Sequence, residues 1–394
     1  MRAAPPLLVA ALLASGVAGL AASSVRQDPE TVTPAQVSAA IESLGSTDFP
    51  TRMKAGRTVR RASAAVAVPA LRKAIANQAA DGYVRFRSLV LLSGFNDPAT
   101  RDVMIAASGD RNDRLRAVAY AFFEHHRDAQ VLPKLIEALK TEESEFVRPA
   151  LTRAIVAHGT DPRAREVALD LAMRGQDFFR SAVIEALGDY RAAYALPTLS
   201  GIAKLEGPLQ DDAVLALGKI GDKKALETVV SLQRSPSRTL QPTVAAAICL
   251  LGTNCASHQG FLVESLKFAI DNIGYQELLR SSASGLAALG ASGRQDAGAA
   301  LVELGGPTRD PARAAIVLAI GTVALRNTTV LLETLQDPER RKAGVELLRE
   351  AFDMLEEDFE EERFFVAVRR AYWKAPASSE ARRTAEALIQ GLEF

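Results

Sequence analysis

Histidines are the side chains of this sequence that titrate near neutral pH, and the chain holds only four of them. His125 and His126 are consecutive, with Glu124 and Asp128 close by, and His158 follows one repeat length later. Imidazole and carboxylate groups together can bind a metal ion. However, the His-x-x-x-His spacing that places two ligands on one helical face is absent. We therefore interpret these histidines as residues at helix ends and predict no metal site.

Motifs that carry other chemistry are also missing from the sequence. There is no Gly-x-Ser-x-Gly turn for a nucleophilic serine, no glycine-rich loop for a phosphate, and no Cys-x-x-Cys-His for haem. Basic and acidic residues number 47 each, so no overall field would attract nucleic acid. We predict a protein without catalytic activity, cofactor or nucleic-acid partner.

Two cysteines, Cys249 and Cys255, are the only ones in the chain. They flank a short turn where an insertion of about six residues lengthens the repeat described below. In an exported protein such a pair is a candidate disulfide that joins a helix end to its turn. The alternative is a buried Cys249 beside a free Cys255.

The elements that position these residues follow one period. An anchor residue, usually arginine, is followed by apolar residues at +3 and +7 and often by glycine at +8. The anchors recur at intervals of roughly 28 to 38 residues, which is typical of a helical solenoid. They are Arg52, Arg85, Arg116, Arg148, Arg180, Gln210, Val244, Ser282, Arg313 and Arg341. Because one helix pair cannot bury its apolar face alone, we predict an all-α solenoid, an alpha-alpha superhelix of about ten helix-turn-helix repeats.

Residues of about 45–355 resemble the HEAT and HEAT-like repeats, including the bilin-lyase type. An acidic residue stands three positions before its arginine at Asp113, Glu145 and Asp177, and Leu-Pro-x-Leu recurs at 132–135 and 196–199. The resemblance implies that second helices line the concave surface. It implies no particular activity, since repeats of this kind serve many partners. A di-iron hydroxylase of this architecture uses paired His-Glu motifs, which this sequence lacks.

The resemblance also implies a ladder of hydrogen bonds between arginines and carboxylates of neighbouring repeats. Its members would be Arg85, Arg116, Arg148 and Arg180 with Asp113, Glu145 and Asp177. We favour this structural role over ligand binding because a guanidinium group matches a carboxylate well.

The N-terminal residues 1–22 have the composition of a secretory signal peptide. One arginine precedes an apolar run from Leu7 to Leu20, and small residues follow it. The alternative is an uncleaved anchor, since the run is barely long enough to span a membrane. We favour cleavage, and therefore predict an exported protein, periplasmic or secreted, with no membrane segment in the mature chain. Residues 23–33 would be a linker and residues 34–352 the solenoid.

The two ends of the chain carry opposite charge. The second helix of the first repeat is basic, and we favour a solvated cap there over a contact for an acidic partner. Seven of the ten residues 353–362 are acidic, with aromatic residues around them. We predict that residues 353–394 form a helical cap on the last repeat, with head-to-tail association as the alternative.

The concave surface is the predicted place for a partner. Positions +2, +5, +6 and +9 of the second helices carry small, apolar and oppositely charged side chains, rather than a stripe of cations. Such a surface suits a helix or peptide laid along it. The candidate contacts are Arg87, Leu91, Phe122, His125 and Arg153. The alternative is that the apolar ones pack against adjacent repeats. We predict a protein- or peptide-binding scaffold of the bacterial envelope, with an accessory subunit of an exported enzyme complex as the second hypothesis.

Overall fold

Helices joined by short turns make up all of the regular structure in the described part of the chain. The structure is a computed structural model that describes residues 32–394 except 235, 236, 238, 356 and 357. The predicted signal peptide, and the predicted linker up to residue 31, lie outside these residues. Within them the helices are α1 (Pro34–Ser43), α2 (Phe49–Arg61), α3 (Ala64–Ala76), α4 (Gly82–Ser93), α5 (Thr100–Ala107), α6 (Asp113–His125), α7 (Leu132–Ala138), α8 (Arg148–Ala157), α9 (Pro162–Met173), α10 (Asp177–Asp189), α11 (Leu196–Ala203), α12 (Gln210–Ile220), α13 (Leu226–Ser231), α14 (Leu240–Leu250), α15 (Cys255–Asp271), α16 (Gln276–Ala291), α17 (Gln295–Gly305), α18 (Ala312–Arg326), α19 (Thr328–Thr334), α20 (Pro338–Leu355), α21 (Asp358–Lys374) and α22 (Glu380–Gly391).

The first twenty helices follow one another as ten pairs along the chain. The two members of each of the first nine pairs contact each other, and α19 and α20 pack on α17 and α18. Each even-numbered helix from α4 to α18 contacts the next even-numbered one, and α2 contacts α4. Odd-numbered helices such as α15, α17 and α19 form the second layer in the same way. The predicted all-α solenoid is confirmed. The expected start of the solenoid at residue 34 is the first residue of α1, whereas residue 352 falls inside α20.

Apolar residues at +3 and +7 of each second helix make the interior between the layers. In α10 these are Val183 and Leu187, with 1% and 0% of their surface exposed. The layer is tight because glycines stand where second helices touch. A Cβ atom on Gly188 would lie 2.8 Å from the Cα of Ala216, and one on Gly218 would lie 2.6 Å from the Cα of Ala247. Glycine at +8 is therefore needed for the close approach of α10, α12 and α14.

The last two helices return to the beginning of the solenoid. Helices α21 and α22 form a hairpin, and α21 contacts α18 on one side and α4 and α6 on the other. Arg60 of α2 binds Glu362 of α21 at 2.7 Å, although 302 residues separate them, and both side chains are buried. Arg57 lies 3.7 Å from Glu393 in the same region. The basic helix α2 thus meets the acidic C-terminal segment of its own chain, which was expected only to cap the last repeat.

Helix α18 is the most apolar of the long helices near the C-terminal end. Among the described residues no single helix is long and apolar enough to cross a membrane. Helices α18 and α19 taken together are long and apolar enough for a membrane span, but the chain bends by 118° between them. The apolar side chains of α18, among them Ile316 and Ile320, are buried in the protein interior.

Candidate functional site

The second helices enclose a cleft of about 660 Å³ on the inner side of the solenoid. Its walls are small residues of α16 and α18, with the half-exposed Leu318 among them. Charged and titratable groups project from α6, α8, α10, α12, α16, α18 and α21. The charged and polar lining residues are His125, Arg153, Glu185, Asp189, Tyr190, Arg191, Asp212, Lys219, Arg280, Arg326 and Arg363. Titratable groups are thus more concentrated here than the sequence pattern suggested.

A smaller cavity of about 230 Å³ adjoins the cleft and is mostly apolar. Its floor is formed by Val118 and Ala121 of α6 and Ala150 of α8. These are +2 and +5 positions of the second helices, where the repeat pattern predicted the concave surface. Aromatic rings of Phe86, Phe146 and Phe359 stand around it. We refer to the two spaces as the charged cleft and the apolar cavity.

Arg153 is the centre of the ion network between the two spaces. Its Nε donates to Glu124 at 3.0 Å, and its Nη2 donates to Asp189 at 2.9 Å. Lys219 donates to the other oxygen of Asp189 at 2.8 Å. Burial alone would raise the pKa of Asp189, but Lys219 and Arg153 outweigh it and lower the pKa to about 2. The carboxylate is therefore ionised at any physiological pH.

Tyr190 completes this network from the turn after α10. Its hydroxyl donates to Glu124 at 2.8 Å. Burial, followed by the charge of Glu124, raises the pKa of Tyr190, so the hydroxyl stays protonated and remains a donor. The network joins four successive repeats, those of α6, α8, α10 and α12, through hydrogen-bonded charges on the inner surface.

Two guanidinium groups near this network have donors that find no acceptor among the described residues. The Nη1 of Arg153 is buried and makes no hydrogen bond, and a carboxylate oxygen of Glu185 lies 3.8 Å from it. Arg326, at the C-terminal end of α18, has its nearest carboxylate oxygen at 4.0 Å, also on Glu185. The Arg326 side chain is 24% exposed. Both arginines line the apolar cavity as well as the charged cleft.

His125 binds the returning helix α21. Its Nε2 lies 2.6 Å from a carboxylate oxygen of Glu360, and Arg363 lies against both residues. Burial would raise the pKa of Glu360, but the hydrogen bond from His125 and nearby positive charges lower it to about 2. Possible ligand atoms of Glu124, His125 and Glu360 lie within 4.8 Å of one another. Because Arg153, Tyr190 and Arg363 already bind these carboxylates, the group is a salt-bridge cluster, and we infer no metal site from it.

The five candidate partner contacts come together on one surface, beneath α21. Leu91 is fully buried, and Phe122 packs edge-on against Phe359 with the ring centroids 6.4 Å apart. Arg87 is partly buried, and burial and then the charge of Arg60 lower its pKa. His125 hydrogen-bonds Glu360, and Arg153 belongs to the ion network. Each of the five candidate residues is thus in contact with other residues of the same chain. Leu91 and Phe122 are therefore packed inside the protein, as the alternative proposed, and Phe122 also packs against α21.

The arginine ladder exists, but some of its carboxylates differ from those expected. Arg85 pairs with Asp110, and Arg116 binds both oxygens of Glu142 at 2.7 and 2.9 Å. These acids lie in the turns before the second helix of the next repeat, where they also accept the backbone N–H groups of Asn112 and Ser144. The predicted partners Asp113 and Glu145 are instead exposed in the first helical turn or just before it.

The other two predicted ladder arginines make no ion pair with a neighbouring repeat among the described residues. Arg148 donates to the backbone oxygen of Glu142 at 2.7 Å and lies over the ring of Phe179. Arg180 pairs with Asp177 of its own helix at 2.9 Å. Arg85 and Arg116 do bind carboxylates from the next repeat, as the ladder prediction expected. The prediction was wrong about which carboxylates these are, because it named Asp113 and Glu145.

The remaining chemically capable residues have structural surroundings. His158 accepts from the backbone N–H of Asp128 at 3.0 Å, and His126 stacks on Phe122 with 4.0 Å between the ring centroids. Cys249 and Cys255 are joined by a disulfide, with their Cα atoms 4.1 Å apart. The bond connects the end of α14 to the start of α15, as the sequence suggested.

Some residues of the site were not recognisable from the sequence. The +9 positions of the second helices did predict that His125, Asp189 and Lys219 face the concave side. Arg326 and Glu360 had no such signal, because they lie at the end of α18 and on α21, outside the regular offsets.

Fold and site together define an α-solenoid whose inner surface carries an apolar cavity beside a charged cleft. Neither the known family models nor the curated proteins include a match to this chain. Among solved structures, the complex of CpcE and CpcF of phycocyanin lyase from Nostoc sp. PCC7120 shares 19% identity, over 66% of this chain and 97% of that chain, with a TM-score of 0.40. Human deoxyhypusine hydroxylase shares 17% identity over 65% of this chain and 95% of that chain, with a TM-score of 0.29. Kap95p, from its complex with RanGDP, shares 13% identity over 91% of this chain and 54% of that chain, with a TM-score of 0.38. We draw no functional argument from likenesses this distant.

Proposed function

We propose that this protein is a non-enzymatic scaffold that binds a segment of another protein along its inner surface. The observation that carries the proposal is the apolar cavity with its aromatic rim, which opens beside the charged cleft. An apolar anchor in a pocket gives most of the affinity in such interfaces, and polar groups around it fix the orientation. The cavity is formed by the concave positions of α6 and α8, next to the surface that α21 covers.

The extent of the inner surface supports a protein ligand over a small metabolite. The cleft and the cavity together involve residues from α4 to α21, and their shared arginines make them continuous. An extended peptide or a helix can contact several repeats of a solenoid at once. A small substrate would fill only part of this length.

Site-specific photo-crosslinking tests the proposal in the native host. A benzophenone amino acid in place of Thr322, which lines the charged cleft, should give a protein adduct on irradiation. The same amino acid in place of Ala65, exposed on α3, serves as the control and should give none.

A second substitution shows whether the adduct depends on the cavity. Ala121→Trp places an indole where the partner's apolar side chain would lie, and it should abolish the adduct at Thr322. Ala65→Trp should leave it unchanged. If the adduct persists in a folded Ala121→Trp protein, or appears at Ala65 instead, the partner binds elsewhere.

Export to the cell envelope is the second part of the proposal. It is supported by the apolar run Leu7–Leu20 in the sequence and by the disulfide between Cys249 and Cys255, since such bonds persist in oxidising compartments. N-terminal sequencing of protein from its native host should begin near Ala22 or Ser24. A chain beginning at Met1 would contradict cleavage and favour a retained anchor.

An accessory role in an exported enzyme complex is the alternative that the same experiment addresses. In that case the protein cross-linked at Thr322 would itself be an enzyme, and its activity would change when the Ala121→Trp variant replaces the wild type. A cross-linked partner without catalytic activity supports the scaffold.

A further inference from the structure

The junction between the apolar cavity and the charged cleft is built from two arginines. Arg153 is 9% exposed, and its Nη1 is buried without a hydrogen-bond acceptor among the described residues. Arg326 lies beside the same space, and the carboxylate of Glu185 faces both arginines without a hydrogen bond, at 3.8 Å from the Nη1 of Arg153 and 4.0 Å from Arg326. Buried or half-buried donors without an acceptor are costly, so a carboxylate placed here would satisfy both groups. The junction therefore has the chemistry of a carboxylate site.

The chain already presents a suitable pair of residues to the neighbouring surface. Phe359, at the start of α21, is 5% exposed and packs against Phe122 of α6. Glu360, the next residue, accepts the hydrogen bond of His125. Both line the apolar cavity. An aromatic residue followed by an acidic one is thus a combination that this inner surface binds within its own chain.

We propose that the partner segment carries an aromatic or large apolar residue next to an aspartate or glutamate. The apolar side chain would occupy the cavity floored by Val118, Ala121 and Ala150. The carboxylate would take the place of the Glu185 side chain, which is 46% exposed, between Arg326 and the Nη1 of Arg153. This inference rests on the proposed function, and it adds the chemistry by which the scaffold selects its ligand.

A single acidic side chain fits the charges better than a nucleic acid. Most cations around the cleft already hold a carboxylate: Arg153 binds Asp189 and Glu124, Lys219 binds Asp189, and Arg363 lies against Glu360. A single-stranded nucleic acid needs a run of free cations along its backbone. Arg326, whose nearest carboxylate among the described residues is that of Glu185 at 4.0 Å, provides one cation without a hydrogen-bonded partner at the junction, which suits one anion beside one apolar group.

A displayed library of random twelve-residue peptides, selected on the full mature chain, tests the inference. The most enriched peptide is synthesised with a fluorescein label, and its binding is measured by anisotropy. We expect it to contain an apolar residue beside Asp or Glu, and to bind about ten- to hundred-fold more weakly when that acid is replaced by its amide. Arg326→Gln should weaken binding by a similar factor. Because Arg326 makes no hydrogen bond to the described residues, this variant should fold normally.

The matched control is Arg174→Gln, the same change on an exposed side chain of the outer surface. It should leave binding unaltered. Binding that Ala121→Trp weakens would support the proposed function. If the same peptide bound equally well with its acid replaced by the amide, or bound equally well to Arg326→Gln, the carboxylate site would be overturned and the proposed function would stand. Failure of any peptide to bind, or binding that Ala121→Trp does not weaken, would contradict the proposed function itself. Tighter binding of a labelled thymidine oligonucleotide than of the peptide, lost in Arg326→Gln, would also overturn the inference.

Discussion

The ion pair between Arg60 and Glu362 holds the C-terminal helices against the first repeats, and its removal should be costly. One carboxylate oxygen of Glu362 accepts a hydrogen bond from the Nε of Arg60 at 2.7 Å, and the Nη2 of Arg60 lies 2.7 Å from the same oxygen. Only 4% of the Arg60 side chain and 1% of the Glu362 side chain are exposed, so water cannot replace either partner. Removing one member of such a buried pair typically destabilises a protein by about 3–5 kcal/mol. We expect Glu362→Gln to lie in this range.

The two single substitutions should differ in size. Glu362 also lies 3.4 Å from Arg369, so Glu362→Gln leaves two arginines without a counter-charge. Arg60→Met leaves Glu362 with Arg369 as a remaining partner and should cost less. In a double-mutant cycle measured by urea denaturation, we expect the pair to show a coupling free energy of about 1–3 kcal/mol.

The control is Arg57 with Glu393, which joins the same two regions at 3.7 Å but is 40% and 59% exposed. Its coupling should be below about 1 kcal/mol. Hydrogen exchange provides a second readout, since Glu362→Gln should accelerate exchange in α21 and α22 before it affects α12 and α14. The reasoning would be refuted if Glu362→Gln cost no more than the exposed control, with exchange in α21 unchanged.

Three further predictions concern other parts of the chain. Leu187→Ala, at a fully buried position, should lower the free energy of unfolding by about 2–5 kcal/mol. Its control, Glu166→Ala on the outer surface, should change it little. Equal denaturation midpoints for the two variants would show that the helix register is wrong. Burial, then the charge of a neighbouring carboxylate, raises the pKa of Asp211 to about 6, so its ionisation destabilises the fold as the pH rises through 4 to 6. Asp211→Asn should therefore raise the melting temperature at pH 8 and leave it nearly unchanged at pH 4. An equal change in melting temperature at both pH values would contradict this. Cys249 and Cys255 should resist alkylation until reduced, and reduction should cost only about 2 kcal/mol for so short a loop; two alkylated thiols in unreduced native protein would contradict the bond.

The solenoid could be predicted because its information is local and repeated. Residues at +3, +7 and +8, such as Val183, Leu187 and Gly188, indicate by spacing alone which face is buried and where helices touch. The same offsets placed Ala121 and Ala150 on the concave side, where the apolar cavity lies.

The return of α21 could not be predicted from the repeat. Contact between Arg60 and Glu362 depends on the accumulated curvature of ten helix pairs, and the repeat pattern in the sequence does not indicate that curvature. Opposite charge at the two ends was visible, but it did not distinguish contact within one chain from association between chains. For Phe122 the sequence allowed a partner contact or packing against an adjacent repeat, but it did not indicate α21, because Phe359 lies more than 200 residues away in sequence.

The ladder shows a smaller limit of the same kind. The arginines were recognised because they recur, whereas their carboxylates lie in turns of varying length. Asp110 and Glu142 reach back to the preceding repeat from those turns, so the helical spacing that singled out Asp113 and Glu145 was the wrong guide.

Hydrogen–deuterium exchange of the mature chain, with and without a saturating amount of the selected peptide, shows directly whether the partner segment binds on the concave side. If the inner surface binds the partner segment, exchange should slow in α6, α8 and the end of α18, which line the apolar cavity and the charged cleft. The outer helices α3 and α9 should be unaffected. Slower exchange confined to those outer helices, with α6, α8 and α18 unchanged, would contradict the claim that this protein binds its partner on the concave side.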